Sequence, residues 1–217
     1  MWTKQNSPLR AFLWVLSMGV AISASAQKTA ANLIVEGFNQ GNTGFAELMK
    51  QSHVESSLYY LNDSVVKQYG GVKRALFSFF DNRQSVLAPG VKFTQNTMRI
   101  EGTTIETGDK KWDEVKDYLL KGLKSQIDYF DRLFGTSLQH TVVYEFDPND
   151  ERNNGWSAPR FKVYFYPKTL SLPESPTVSN IEQQLEIVPY FSMEIHKRPF
   201  SNYYYMLYVV SGASEQR

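Results

Sequence analysis

The amino-acid sequence predicts an α+β protein in which an antiparallel sheet, mostly from the C-terminal half, packs against a long amphipathic helix at about residues 110–135. Three observations predict this fold class. Residues 110–135 have strong helical periodicity, and residues 138–211 are almost entirely strand-like. Short connections separate most of the strand candidates, which favours antiparallel pairing. Shorter helices are expected near the N-terminus.

The segment 110–135 carries the clearest helical pattern. Its apolar residues recur every three or four positions and form one stripe, made of Trp112, Val115, Leu119, Leu123, Ile127, Phe130 and Phe134. Asp109 is the expected N-cap, and Gly135 is expected to end the helix. We therefore expect this helix to cover one face of the sheet.

Strands are predicted on both sides of this helix. Residues 92–94 and 98–106 predict a pair of strands that turns near Gly102. Four more strand candidates follow the helix, at residues 139–146, 160–166, 185–196 and 202–210.

Residues 29–89 are mostly helical in pattern. Short helices are predicted at residues 30–38 and 45–51, followed by a weak strand at 56–61. Apolar residues at helical spacing then predict a helix from Asp63 or Ser64 to about Asn82.

The first 26 residues have the pattern of a secretory signal peptide. Lys4 and Arg10 form a basic start, residues 11–22 are apolar, and Ala24 and Ala26 are small residues before a cleavage site. The apolar run is shorter than the roughly 20 residues of a membrane-spanning helix. Cleavage is expected after Ala26, and an uncleaved anchor is the alternative.

Cleavage would leave residues 27–217 as a single α+β domain without a stable membrane anchor. The chain has no cysteine, which excludes a lipid-anchored lipoprotein and is more natural for an exported bacterial protein than for an animal one. We therefore expect a periplasmic or extracellular location in a bacterium.

The charge of the mature chain gives no reason to expect nucleic acid as a partner. Removing residues 1–26 takes away Lys4 and Arg10 and no acidic residue, so the formal net charge falls from +1 to −1. Binding to nucleic acid or to an anionic membrane surface depends on clustered positive charge. The expected partner is a small molecule or another protein.

The acidic run at residues 147–155 departs from the pattern of a calcium-binding loop. A loop of the EF-hand kind that starts at Asp147 needs glycine at its sixth position and glutamate at its twelfth. Those positions hold Arg152 and Ala158. Pro148 and Gly155 favour a hairpin connection instead, and an irregular calcium site is the alternative.

Other motifs for cofactors or catalysis do not occur in the sequence. Neither a Gly-x-Ser-x-Gly turn nor a phosphate-binding glycine loop is found. His53, His140 and His196 are not at the short spacing of a zinc-ligand pair. No cofactor and no metal is therefore predicted.

Alternation along the strands predicts a sheet face rich in tyrosine. The expected members are Tyr144, Tyr164, Tyr166, Tyr190, Tyr204 and Tyr208, with Glu194 and His196 on the same side. Tyrosine combines a flat apolar ring with a polar tip, which suits a ligand groove or a protein interface. The alternative is that the helices of residues 29–89 cover this face.

Two functions follow from this face. The first is an exported, non-catalytic binding or assembly protein that uses the tyrosines. The second is a small extracytoplasmic hydrolase or isomerase in which Glu194 and His196, two residues apart on one strand, act as acid and base. A solvated charge pair near a strand end is a further interpretation of these two residues.

Two stretches near the N-terminus are similar to a known family. Residues 38–48, FNQGNTGFAEL, and residues 71–77, GVKRALF, resemble the opening of cystatin-like cone domains. The long helix at 110–135 departs from the element order of that family. The resemblance therefore implies no site residue.

Overall fold

The computed structural model describes residues 28–39, 41–84, 90, 92–105, 110, 112–143, 159–174, 177–197 and 203–215. Four predicted features lie outside this part of the chain: the signal peptide, Asp109, Tyr144 and the loop 147–155. No helix within the described residues is long and apolar enough to cross a membrane.

The described residues form ten strands and five helices. The strands are β1 (Lys28–Thr29), β2 (Ser52–Glu55), β3 (Leu58–Leu61), β4 (Tyr69–Gly70), β5 (Val72–Gln84), β6 (Lys92–Ile105), β7 (Leu138–Val143), β8 (Pro159–Pro167), β9 (Tyr190–Lys197) and β10 (Tyr204–Glu215). The helices are α1 (Ala30–Asn39), α2 (Gly41–Met49), α3 (Asp63–Val66), α4 (Trp112–Phe134) and α5 (Val178–Gln184).

Eight of the described strands form one antiparallel sheet in the order β2-β3-β5-β6-β10-β9-β8-β7, while β1 and β4 pair in parallel. This confirms the predicted fold class: the sheet comes mostly from the C-terminal half, and shorter helices lie near the N-terminus. The predicted long helix is confirmed as α4. Most of its apolar stripe is buried, with Val115, Leu119, Leu123 and Phe130 at most 4% exposed.

The main core lies between one face of the sheet and helices α1, α2 and α4. Its densest part is a cluster of phenylalanine rings around Phe191 of β9. The ring of Phe191 stacks on Phe165 with centroids 4.5 Å apart, and its centroid is 4.9 Å from Phe130 of α4 and 5.3 Å from Phe38 of α1. The N-terminal helices and α4 therefore share this face of the sheet.

The predicted helix from residue 63 to about residue 82 is wrong. Only α3 is helical; the chain then turns at Gly71, which has a φ of +79°, and continues as β5. β5 pairs with β3 and β6. Ala75 and Phe77 enter the main core while Leu76 faces the other side. Apolar residues on both faces of an inner strand imitate helical spacing, which explains the error.

The turn predicted near Gly102 is also wrong, because β6 is continuous from Lys92 to Ile105. Gly102 has a packing role. A Cβ atom at this position would lie 3.0 Å from the main-chain oxygen of Met206, where the pairing of β10 with β6 shifts in register. The glycine thus permits a close approach of two backbones.

The strand predicted at residues 185–196 begins only at Tyr190, and a short helix, α5, precedes it. The hydroxyl of Thr177 caps this helix by accepting a hydrogen bond from the amide of Asn180 at 3.2 Å. Val178 and Ile181 of α5 are buried in a second, smaller core on the other face of the sheet. This helix forms one wall of a groove over that face of the sheet.

Candidate functional site

The face of the sheet opposite the main core carries rows of polar and apolar side chains. Residues that lie opposite each other in neighbouring strands point to the same face. The registers of β5, β6, β10, β9 and β8 therefore align one row across five strands, which consists of Arg74, Glu101, Leu207, Glu194 and Lys162.

The next row along the strands has a mixed character. It consists of Leu76, Arg99, Val209, Ser192 and Tyr164. A third row brings Ser78, Thr97, Ser211 and Tyr190 together. The face thus has one mainly charged row, a middle row in which Arg99 lies among apolar and polar side chains, and a third row of hydroxyl groups.

A groove of about 930 Å³ lies over these rows. Its floor is formed by β5, β6, β10 and β9, and one wall is formed by α5 through Val178, Ser179, Glu182 and Gln183. Cavities of roughly 300–1,000 Å³ are typical of sites for small organic ligands. We call this space the sheet groove.

A buried ionic cluster lies at one side of the sheet groove. The ammonium of Lys162 is 2.9 Å from Oε1 of Glu194, and the hydroxyl of Ser192 donates to the same oxygen at 3.0 Å. Nε2 of His196 is 2.7 Å from Oε2 of Glu194. Lys162, Glu194 and His196 are only 8%, 4% and 5% exposed. The interpretation of Glu194 and His196 as a solvated charge pair is therefore wrong.

The cluster holds Glu194 and Lys162 in their charged forms. Burial alone would raise the pKa of Glu194, but the hydrogen bond from His196 and the charge of Lys162 outweigh it and lower that pKa to about 2. Burial alone would lower the pKa of Lys162, and the negative charge of Glu194 raises it above its usual value. The pair is therefore ionised at neutral pH.

His196 is fixed by two contacts. An ionised carboxylate only accepts hydrogen bonds, so Nε2 of His196 carries a proton and donates a hydrogen bond to Glu194. The ring stacks on Tyr205, with centroids 5.4 Å apart and planes 25° apart. Nδ1 of His196 is buried, with no hydrogen-bond partner among the described residues. In the neutral ring this nitrogen is an acceptor.

Three of the predicted tyrosines lie on the expected face, but a helix covers them. Tyr164, Tyr166 and Tyr190 are 0%, 5% and 9% exposed in the smaller core under α5. The Tyr164 hydroxyl donates to Glu182 of α5 at 3.2 Å, and burial is the main cause that raises the pKa of Tyr190 to about 12. Of these three, only Tyr190 lines the sheet groove.

Tyr204 and Tyr208 lie on the opposite face, which corrects their predicted orientation. Both are buried in the main core, where the Tyr208 hydroxyl donates to Oε1 of Gln126 on α4 at 2.9 Å. Both faces of β10 are apolar or aromatic, so the sequence does not reveal which face is which. Pairing with β9 sets the orientation: Tyr205 lies opposite His196, and Leu207 lies opposite Glu194.

The N-terminal helices do not cover the polar face. Residues of α1 and α2, including Leu33, Ile34 and Phe45, are buried in the main core on the other side of the sheet. The alternative in which helices of residues 29–89 seal the predicted binding face is therefore wrong. The only helix on that face among the described residues is α5.

The three histidines are not brought together. His53 on β2 contacts Asn62 at 3.0 Å, His140 on β7 contacts Asp131 at 2.8 Å, and His196 lies on β9. β2 and β7 are at opposite edges of the sheet. Within the described parts of the chain, no group of three or more potential metal-ligating side chains is found.

Comparison with known proteins gives no relative: no protein-family model, no curated protein and no solved structure matches the chain. The similarity to cystatin-like cone domains thus remains a resemblance of two short stretches.

Proposed function

We propose that this chain is an exported bacterial binding protein that holds a small molecule in the sheet groove without changing it chemically. The observation that carries this proposal is the groove itself, about 930 Å³ in volume, on the face that α1, α2 and α4 leave free. A concave site of this size suits a small organic molecule better than a flat protein partner. The signal-peptide pattern and the absence of cysteine support export.

The side chains favour binding over acid–base catalysis. A general acid or base needs a pKa near the working pH and contact with the substrate. The pKa of Glu194 is lowered to about 2, and its two oxygens already accept bonds from Lys162, Ser192 and His196. Nδ1 of His196 is buried away from solvent. These features suit a structural role for Glu194 and His196, as a rigid support beneath the groove.

A substitution that fills the sheet groove tests this proposal. Leu207 lines the groove, and Leu133 is 45% exposed on α4. We expect Leu207→Trp to remove ligand-induced stabilisation, because the indole ring occupies the floor of the groove. Leu133→Trp makes the same chemical change outside the groove and is expected to retain the stabilisation. The measurement is the rise in melting temperature with a library of small metabolites. A ligand present at 100 times its Kd stabilises a protein by about 2.7 kcal/mol.

The expected result is a set of compounds that stabilise the unchanged protein and Leu133→Trp but not Leu207→Trp. Circular dichroism of both variants shows whether each retains its fold. If every stabilising compound acted equally on a folded Leu207→Trp, the sheet groove would not be the binding site.

A further inference from the structure

Arg99 lies near the middle of the floor of the sheet groove. On β6 its cross-strand neighbours are Leu76 of β5 and Val209 of β10. Its side chain is exposed and lines the groove. A cation therefore projects from the centre of a partly apolar floor.

No acidic side chain of the described residues lies within ion-pair distance of the Arg99 guanidinium. The described part of the groove lining contains the cationic residues Arg74, Arg99 and Lys162. Nε of Arg74 is 2.6 Å from Oε2 of Glu101. Lys162 is 2.9 Å from Glu194 and 2.8 Å from Glu182. Arg99 forms no ion pair with any described residue.

The surroundings of Arg99 define the chemistry that fits it. Leu76, Leu207 and Val209 provide an apolar strip, while Ser78 and Thr97 provide hydroxyls one row further along. A guanidinium binds a carboxylate through two parallel hydrogen bonds. Acidic side chains elsewhere in the lining disfavour a ligand with several negative charges. A single anionic group on an apolar body satisfies all of these conditions.

We propose that the sheet groove binds an organic monocarboxylate, with its carboxylate on Arg99 and its apolar body on Leu76, Leu207 and Val209. This inference rests on the proposed binding function and adds the chemical class of the ligand. Arg99 supplies charge and orientation, and the three aliphatic side chains supply the apolar contact surface.

Three probes with the same ring system and different charge test the inference: naphthoate, the neutral naphthalenemethanol and the cationic naphthylmethylammonium. We expect naphthoate to bind with a Kd about tenfold lower than the alcohol, because a hydrogen bond to a charged group typically contributes a factor of this size. The cationic probe is expected to bind more weakly than the alcohol. Isothermal titration calorimetry measures the three dissociation constants.

Variants of Arg99 assign the effect to this residue. Arg99→Gln is expected to raise the Kd of naphthoate about tenfold and to change the Kd of the alcohol less than about twofold. Arg99→Lys keeps the positive charge but cannot form two parallel hydrogen bonds to a carboxylate, so an intermediate Kd of naphthoate is expected. Arg132→Gln, in the last turn of α4 and outside the groove lining, is the matched control and should change neither constant.

Equal binding of naphthoate and the alcohol overturns the inference, as does an unchanged Kd of naphthoate in Arg99→Gln. Failure of all three probes to bind at millimolar concentration also overturns it. None of these outcomes contradicts the proposed binding function, which fails if filling the groove in Leu207→Trp leaves ligand-induced stabilisation intact.

Discussion

Glu194→Gln is expected to lower the free energy of unfolding at pH 7 by about 3 kcal/mol. The substitution preserves the shape of the side chain but removes its charge, so Lys162 loses its buried acidic partner and keeps its ion pair with the more exposed Glu182. Glu194 is 4% exposed, and its carboxylate accepts hydrogen bonds from three side chains. Removing one partner of a buried ion pair typically costs several kcal/mol, because the other charge stays buried.

The pH dependence identifies the cause of this loss. The pKa of Glu194 is lowered from 4.5 to about 2 in the folded protein, so its contribution is fully present above pH 4.5 and is lost as the pH falls towards 2. The difference in stability between the unchanged protein and Glu194→Gln should therefore shrink as the pH falls from 4.5 towards 2. Urea unfolding at several pH values measures this difference.

Glu47→Gln is the matched control for this experiment. Glu47 forms an exposed pair with Lys50 at 2.6 Å, and its side chain is 57% exposed. Exposed pairs contribute between about 0 and 1 kcal/mol. A loss in Glu194→Gln no larger than that in Glu47→Gln would contradict the role of the buried cluster.

Phe191→Ala is expected to lower the free energy of unfolding by about 3–5 kcal/mol. Phe191 is 0% exposed and contacts phenylalanine rings from β8, α1 and α4. Truncation removes the ring that joins these elements and leaves a cavity that the surrounding rings cannot fill. The measurement is the midpoint and slope of a urea-unfolding curve.

Tyr118→Ala is the control for the loss of an aromatic side chain. Tyr118 lies on α4 but is 71% exposed, so a change of no more than about 0.5 kcal/mol is expected. Similar losses in Phe191→Ala and Tyr118→Ala would show that the phenylalanine cluster does not hold the sheet and helices together.

The long helix that the sequence predicted correctly has one apolar face over many turns. α4 has 23 residues with a single stripe, and this pattern is sufficient to identify the helix. β5 and β10 have apolar residues on both faces. In β5 the spacing of these residues is that of a helix, and in β10 it does not show which face points to the main core. α5 has only seven residues. Its cap at Thr177 and the spacing of Val178 and Ile181 are the signals that could have revealed it.

Part of the candidate site could be predicted because it depends on one strand alone. Glu194 and His196 are two residues apart on β9, so their common face follows from alternation, and the 2.7 Å contact confirms it. Arg99, Val209 and Ser192 come together only through the register of three strands. No pattern within a single strand encodes that register, which is why Arg99 was missed.

The most direct test of the central claim, that the sheet groove is an open small-molecule site, is to map fragment binding by methyl NMR. We expect fragments to shift the methyl resonances of Leu76, Leu207 and Val209, which line the groove. The methyl resonances of Val54 and Leu133, which are exposed elsewhere, should remain unchanged. Shifts confined to Val54 or Leu133, or no shifts at the three groove residues across the library, would contradict the claim.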